Sequence, residues 1–235
     1  MRQMPPACQQ LEADMGHTFK KAELLIEALT HSTYAYEHRY EGVISNERLE
    51  FLGDAVLDLA IGDELFRLDE KYDEGFMSKT RALVVCESTL AHLARQLGVG
   101  NILSLGKGEA ATGGMTKPSN LSNAMEALFG AIYLDAGFEK ARSVILNLLA
   151  GPLQEALAGS IVFDYKSKLL EYAQSMNSIG QLRFIILDEQ GPVHEKQFTA
   201  GVILNERLIG RGIGSSKKEA EQQAAKAALD YFKDK

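Results

Sequence analysis

Apolar residues recur at helical spacing through most of the first two thirds of the chain. Between residues 46 and 68 they fall three or four positions apart, the repeat that places side chains on one face of an α-helix. Asn46 directly precedes this segment and predicts a side-chain cap for the helix. Residues 78–97 predict a second long helix and residues 121–136 a third. Because nothing in residues 20–156 alternates with a period of two, this part is predicted to be all-α.

The pattern changes towards the C-terminus. A glycine-rich polar stretch, residues 106–120, predicts a loop, and residues 157–163 predict a linker. A helix over residues 165–174 is followed by three strand-like segments joined by turn residues, and then by an alanine-rich helix. The order α-β-β-β-α predicts a two-layer α+β unit. We therefore expect two domains, residues 1–156 and 164–235.

Charge is distributed unevenly along the chain. The 235 residues carry a net charge of −7, but residues 1–163 carry 14 basic and 22 acidic residues, and residues 164–235 carry 11 and 10. An acidic body can hold divalent metals and a module with lysine clusters can hold phosphates, which weakly favours a metal-dependent enzyme acting on a polyanion. Hydrophobic residues make up 46% and charged residues 24%, which excludes global disorder.

The number of cysteines and the length of the apolar runs indicate the cellular compartment of the protein. There are only two cysteines, so no disulfide framework is predicted. No apolar run approaches the roughly 18 residues of a membrane span, and the first ten residues have no signal-peptide core. We expect a protein of the reducing cytoplasm.

Carboxylates gather on one face of the first long helix. Glu47, Glu50 and Asp54 lie at i, i+3 and i+7, within about 60° of one another. A later helix presents Asn123 and Glu126, again three residues apart. A solvated acidic face would explain either set alone. Two helices that each offer oxygen ligands could also form a site for a hard cation such as Mg²⁺ or Mn²⁺.

Several motifs closely resemble the ribonuclease III family. In the helical part they are ALTHSTY at 28–34, NERLEFLGDAVL at 46–57, DEG at 73–75, GKGE at 106–109 and MEALFGAIYLD at 125–135. The C-terminal unit resembles a double-stranded RNA-binding domain through GPVH at 191–194 and GSSKKEAEQQAAKAAL at 214–229. The resemblance covers roughly residues 15–235, in the order typical of the bacterial single-chain enzyme.

This resemblance implies a fold and an activity. It implies an all-α endonuclease domain followed by an α+β double-stranded RNA-binding domain. The implied activity is a Mg²⁺-dependent endoribonuclease that works as a homodimer and cuts both strands of double-stranded RNA. The implied products carry a 5′-phosphate and a 3′-hydroxyl and have two-nucleotide 3′ overhangs. Implied substrates are ribosomal RNA precursors and structured messages.

The resemblance also implies roles for single residues. Glu50, Asp54 and Glu126 match the catalytic and metal-binding acids of the family. Asn123 stands where the family usually has Asp, as a fourth ligand without charge, and Mn²⁺ is expected to substitute for Mg²⁺. Two interpretations follow: an active nuclease, or a double-stranded RNA-binding protein whose cleavage is attenuated by Asn123.

Other positions match contacts with RNA or with a second subunit. Phe51 matches an aromatic side chain that inserts into the partner subunit, although without the resemblance a plain core residue would be the preferred interpretation. The positions that match RNA contacts are Glu47, Glu74, Lys107, Ser167, Glu171, Gln174, His194, Lys217 and Lys218.

Overall fold

The computed structural model describes residues 5–158, 165–175, 182–191 and 196–233. The first part of the chain forms helices α1 (Pro6–Met15), α2 (Ala22–Ala28), α3 (Ser32–Glu37), α4 (Glu47–Leu68), α5 (Glu74–Val84), α6 (Glu87–Gln96), α7 (Lys107–Ala111), α8 (Pro118–Ala136), α9 (Phe138–Leu148) and α10 (Ala150–Leu157), with short 3₁₀ turns at Arg39–Glu41 and Val99–Asn101. The second part forms α11 (Tyr165–Ser175), β1 (Leu182–Gln190), β2 (Gln197–Leu204), β3 (Arg207–Gly214) and α12 (Lys217–Lys233).

The chain divides into two compact units, Met1–Ile161 and Val162–Lys235. In the described residues the regular secondary-structure elements of the first unit are all helices, and the second unit is α-β-β-β-α, so the predicted fold class is confirmed. Within the described residues, no helix combines the length and the apolar character needed to cross a membrane.

The core of the first unit forms around α4 and α8. Leu57 and Ala60 of α4 are buried, as the apolar spacing predicted. Ile61 is buried beside them, and α8 buries Met125 and Phe129. Helix α8 is apolar over most of its surface because other helices surround it. The two longest helices therefore form a rigid central pair.

The second predicted helix is wrong in its extent. Residues 78–97 form parts of two helices, α5 and α6, and Cys86 between them has an extended backbone. The hydroxyl of Thr89 donates to the carbonyl oxygen of Leu83 at 3.0 Å, which satisfies one acceptor at the end of α5. Continuous apolar periodicity concealed this break, because both helices bury a face in the same core.

Asn46 does not cap α4 with its side chain. It is buried, and its Nδ2 donates to the carbonyl oxygen of Ala28 at 3.2 Å, while its backbone N–H donates to Thr30 at 2.8 Å. The side chain thus ties the start of α4 to the end of α2. A tertiary acceptor replaces the local one that the sequence predicts.

The predicted loop over residues 106–120 contains regular structure. It includes the short helix α7, and α8 begins within it at Pro118, a residue favoured in a first helical turn. Glu109 of α7 accepts from Asn120 Nδ2 at 2.8 Å and from Lys117 Nζ at 3.3 Å. These contacts fix the segment onto the start of α8.

The second unit packs α12 against an antiparallel sheet of order β1-β2-β3. A tight turn at Asn205 and Glu206, both with positive φ, joins β2 to β3 as the polar turn residues predicted. Strand β3 faces the helix with glycines, and a methyl group added at Gly212 would overlap the backbone nitrogen of Ala224. The backbones of α12 and β3 therefore lie almost in contact.

Candidate active site

The carboxylates of α4 and α8 meet where the two helices cross. Glu50 and Asp54 flank Gly53, and a methyl group added at Gly53 would overlap the carbonyl oxygen of Glu126. On the other helix, a methyl group at Gly130 would overlap the carbonyl oxygen of Leu49. Only glycine permits this approach at both positions. The crossing therefore brings the acids of α4 beside Glu126.

Glu126 is the most perturbed of these acids. Burial, followed by the charges of Asp54, Glu50 and Asp58 in that order, raises its pKa to about 7. The charge contributions to this pKa all come from neighbouring acids. The structure thus places Glu50, Asp54 and Glu126 in one electrostatic cluster.

Glu50 is perturbed in the same direction. Burial raises its pKa most, followed by the charge of Glu47, and Asp54 contributes a smaller increase. A hydrogen bond from the Asn123 side chain opposes these effects. The Asn123 amide oxygen in turn accepts from Ser122 Oγ at 3.4 Å. Asn123 therefore belongs to the same cluster, next to Glu50.

The donor set suits a divalent hard cation. In the described part of the chain, the ion pairs of α4 involve Asp58, Asp63 and Glu64, so the carboxylates of Glu50 and Asp54 have no Lys or Arg partner. Carboxylate and amide oxygens are the ligands that Mg²⁺ and Mn²⁺ prefer. Among the described residues, no three His, Cys, Asp or Glu side chains form a ready-made metal-binding group. The match to a divalent cation therefore rests on the oxygen donors of the site and on its negative charge.

Asp58 was missed by the sequence analysis. It lies one turn beyond Asp54 on α4, it raises the pKa of Glu126, and its Oδ1 is 3.8 Å from Nε of Arg81 on α5. The signal was its i+4 spacing from Asp54, which extends the acidic face by another turn.

The three predicted RNA contacts of the first unit are accessible. Glu47 and Glu74 are exposed in the first turns of α4 and α5, where they accept from Ser45 Oγ at 2.9 Å and Ser78 Oγ at 3.0 Å. Lys107 is exposed at the start of α7, and its backbone N–H donates to Glu37 Oε1 at 2.8 Å. The start of α7 is thus fixed to α3.

Phe51 is 83% exposed, so its interpretation as a core residue is wrong. It begins an apolar stripe on α4 that continues through Ala55, Leu59, Gly62 and Phe66 at spacings of three or four, and these residues are exposed except for the half-buried Gly62. We call these five residues the α4 stripe. Phe66 is 75% and Leu59 58% exposed, so the stripe presents several large apolar side chains to solvent on one face of the helix.

In the second unit the two predicted lysines differ. Lys217 Nζ lies 2.7 Å from Glu189 Oε1, whereas Lys218 is exposed beside it. Cations at a helix N-terminus oppose the macrodipole, and Glu189 compensates for one of them. The side chains of Ser167, Glu171 and Gln174, on α11, lie outside the described residues, and so does all of His194.

Comparison with known proteins identifies the family. A family model described as Ribonuclease-III-like matches residues 21–153, and one described as Double-stranded RNA binding motif matches residues 165–232. Ribonuclease 3 of Pelotomaculum thermopropionicum is 49% identical over 93% of this chain and 90% of its own length. The chain belongs to the ribonuclease III family. Ribonuclease 3 of Carboxydothermus hydrogenoformans, another member, is 47% identical over 95% of this chain and 94% of its own.

A solved structure agrees with the assignment of the helical unit to ribonuclease III. The nuclease domain of ribonuclease III from Campylobacter jejuni superposes with a TM-score of 0.56 at 45% identity, covering 60% of this chain and 94% of its own. That nuclease domain shows structural flexibility in a region involved in dimer formation. The acids at the α4–α8 crossing lie within the part of the chain matched to the ribonuclease III model.

Proposed function

We propose that this protein is a Mg²⁺-dependent endoribonuclease that hydrolyses both strands of double-stranded RNA. The observation that carries this is the meeting of Glu50, Asp54 and Glu126 at the α4–α8 crossing, in a chain that also has a double-stranded RNA-binding motif. The binding-only alternative is not favoured, because the curated relatives that match over more than nine tenths of the chain are ribonucleases.

The chain's own residues would hold the metal and position the scissile phosphate. Glu50, Asp54 and Glu126 would bind Mg²⁺ through carboxylate oxygens, and Asn123 through its neutral amide oxygen. A bound Mg²⁺ lowers the pKa of a water ligand and neutralises charge that develops on the phosphate. Glu126 must lose its proton before it can bind the metal, so its raised pKa makes protons compete with Mg²⁺. Mn²⁺ would substitute, because it suits the same oxygen ligands.

The products and biological setting follow from the proposed reaction. Cleavage would leave 5′-phosphates, 3′-hydroxyls and two-nucleotide 3′ overhangs. The substrates would be ribosomal RNA precursors and structured messages in the cytoplasm. Both cysteines, Cys8 and Cys86, are free thiols, consistent with a reducing compartment.

A homodimer through the endonuclease domain completes the proposal. The five residues of the α4 stripe lie within about 80° of one another on the helix. An apolar stripe of this length that is exposed in the single chain is typical of a surface that becomes buried between two subunits. Phe51 begins the stripe immediately beside Glu50, so the same helix would carry both the partner contact and the site. Two sites in one dimer would allow both strands to be cut.

RNA contacts are proposed for both units, with domain bounds at 1–156 and 164–235 and a linker at 157–163. Such modules read the shape of a duplex through 2′-hydroxyls and phosphates. The residues proposed for contact are Glu47, Glu74, Lys107, Ser167, Glu171, Gln174, His194, Lys217 and Lys218.

Substitution of Glu126 tests the proposal. Glu126→Gln should abolish cleavage of a long RNA duplex at saturating Mg²⁺ but leave duplex binding unchanged, because affinity comes mainly from phosphate and 2′-hydroxyl contacts elsewhere. Glu155→Gln, an exposed acid on α10, is the matched control and should cleave like the wild type. Unchanged turnover in Glu126→Gln would refute the assigned centre.

A further inference from the structure

Two lysines of the C-terminal unit share one carboxylate. Glu189, near the end of β1, places Oε2 2.9 Å from Lys196 Nζ and Oε1 2.7 Å from Lys217 Nζ. Both ammonium groups also lie over the Phe198 ring, at 5.4 and 5.6 Å from its centroid. These four residues, which we call the Glu189 cluster, join β1, the start of β2 and the first residue of α12.

The sheet holds this cluster in place. Glu189 pairs with Phe198 in the antiparallel register of β1 and β2, so their side chains leave the same face of the sheet. The hydrogen bonds from Lys196 and then Lys217 lower the pKa of Glu189 to about 2, so it is ionised at any working pH. Its charge balances one of the two lysines and leaves the cluster with a net charge of +1.

The lysines remain accessible to a larger anion. The side chain of Lys217 is 58% exposed and that of Lys196 43%, whereas that of Glu189 is 33% exposed. A phosphate group offers the same kind of charged oxygen acceptors as the carboxylate that already bridges the lysines. Because each exposed ion pair is weak, exchange of one anion for another costs little.

We propose that Glu189 is an internal competitor of RNA: it occupies Lys196 and Lys217 in the free protein and must yield them to a backbone phosphate when a duplex binds. This inference rests on the proposed binding of double-stranded RNA. Glu189 thereby lowers the affinity for duplexes and reduces the dependence of binding on salt. The Phe198 ring, which the strand register holds in place, stays beside both lysines after the carboxylate has lost them.

The test compares two substitutions on β1, each of which removes one negative charge. Glu189→Gln keeps the side-chain shape and removes the competing charge. Asp188→Asn removes a charge one residue away, where the carboxylate accepts from the Glu189 backbone N–H at 2.9 Å and from Gln190 Nε2 at 2.6 Å. Among the described residues, Asp188 forms no ion pair with a lysine. Binding of the full chain to an RNA duplex is measured in EDTA, which prevents cleavage, over a series of salt concentrations.

Glu189→Gln should bind the duplex about 1.5- to 5-fold more tightly at low salt, the range expected for an exposed ion pair. The slope of the logarithm of the association constant against the logarithm of the salt concentration should become more negative by up to about 1, the contribution of one additional phosphate contact. Asp188→Asn should change both quantities clearly less. In a protein that also carries Lys196→Ala and Lys217→Ala, Glu189→Gln should no longer tighten duplex binding. The two cations for which the carboxylate and the phosphate compete are then absent.

Three results would overturn the inference: weaker binding by Glu189→Gln, an equal gain in Asp188→Asn, or an undiminished gain without the two lysines. The first would make Glu189 a positioning residue, and the second would reduce its effect to long-range charge. Failure of the proposed RNA binding is distinguishable, because then the wild type itself would bind no duplex.

Discussion

At Glu126 the stability of the fold and the requirements of metal binding oppose each other. The carboxyl group has a pKa near 4.5 when unfolded and about 7 in the folded protein. Folding therefore favours the protonated form. The stability associated with that form is fully present below pH 4.5 and is lost as the pH rises through 7. Metal binding needs the deprotonated form.

This conflict predicts a pH-dependent effect of Glu126→Gln on thermal stability. In EDTA at pH 8, the variant should melt at a higher temperature than the wild type, because it removes a buried charge from an acidic cluster. Near pH 5 the two should melt alike, since Glu126 is then protonated. Circular dichroism melts across this range measure the difference. With saturating Mg²⁺ at pH 8 the order should reverse, and a difference independent of pH would contradict the assignment.

The uncharged side chain of Asn123 leads to a second prediction at the residue scale, which concerns the metal requirement. Asn123→Asp would add a fourth charge to the cluster, so it should lower the Mg²⁺ concentration for half-maximal cleavage and lower the melting temperature without metal. In the wild type, Mn²⁺ should support cleavage better than Mg²⁺, because it binds more tightly to such ligands. Titrations of both proteins with both metals measure this. Superimposable Mg²⁺ titrations would show that residue 123 is not a ligand position.

At the scale of elements, the site depends on how closely α4 and α8 approach. Alanine is usually the better helix former, by about 1 kcal/mol relative to glycine. At Gly53 that preference is overridden, because the methyl group would overlap the Glu126 backbone. Sequence patterns indicate the two helices, but the glycine contact exists only once they cross.

Gly53→Ala should therefore destabilise the helical unit by about 3 kcal/mol or more, and any folded fraction should cleave poorly because Glu126 is displaced from α4. Gly151→Ala on α10, where a methyl group meets nothing within 4 Å, is the control and should be neutral or slightly stabilising. Urea unfolding measures both variants. Equal stability of Gly53→Ala and wild type would mean that the helices can move apart without cost.

For the whole molecule, the α4 stripe predicts the oligomeric state. Phe66→Glu should convert the proposed dimer to a monomer, because it places a charge within an apolar interface. Tyr40→Glu changes an aromatic residue that is 88% exposed outside the stripe and should leave the dimer intact. Sedimentation equilibrium at several concentrations distinguishes the states. A Phe66→Glu dimer of wild-type affinity would place the interface elsewhere.

The division into two units predicts separable roles. A chain ending after residue 160 should remain folded and dimeric, since the helical unit has its own core. Its cleavage of duplex RNA should survive only at low salt, where the remaining phosphate contacts suffice. Analytical ultracentrifugation and cleavage at increasing salt, beside the full chain, test this. A monomeric truncation, or one that cuts as well as the full chain at physiological salt, would contradict the proposed division.

The sequence by itself determined the features that depend on local pattern. Apolar spacing predicted α4, and alternation with turn residues predicted the three strands, because both record which face of an element is buried. The family motifs located the acids, and the predicted family and fold class are confirmed. The roles of the individual site residues and the domain bounds stay predictions.

Only the tertiary structure decided the features that depend on a partner distant in the chain. Asn46 bonds Ala28 rather than capping its own helix, and the helix predicted over residues 78–97 breaks where two helices share one core. The contact of Gly53 with Glu126 requires a helix crossing, and that of Glu189 with Lys217 requires a strand register and a docked helix. A local pattern records that a residue is buried or charged. It does not record what the residue meets, because that partner is supplied by packing.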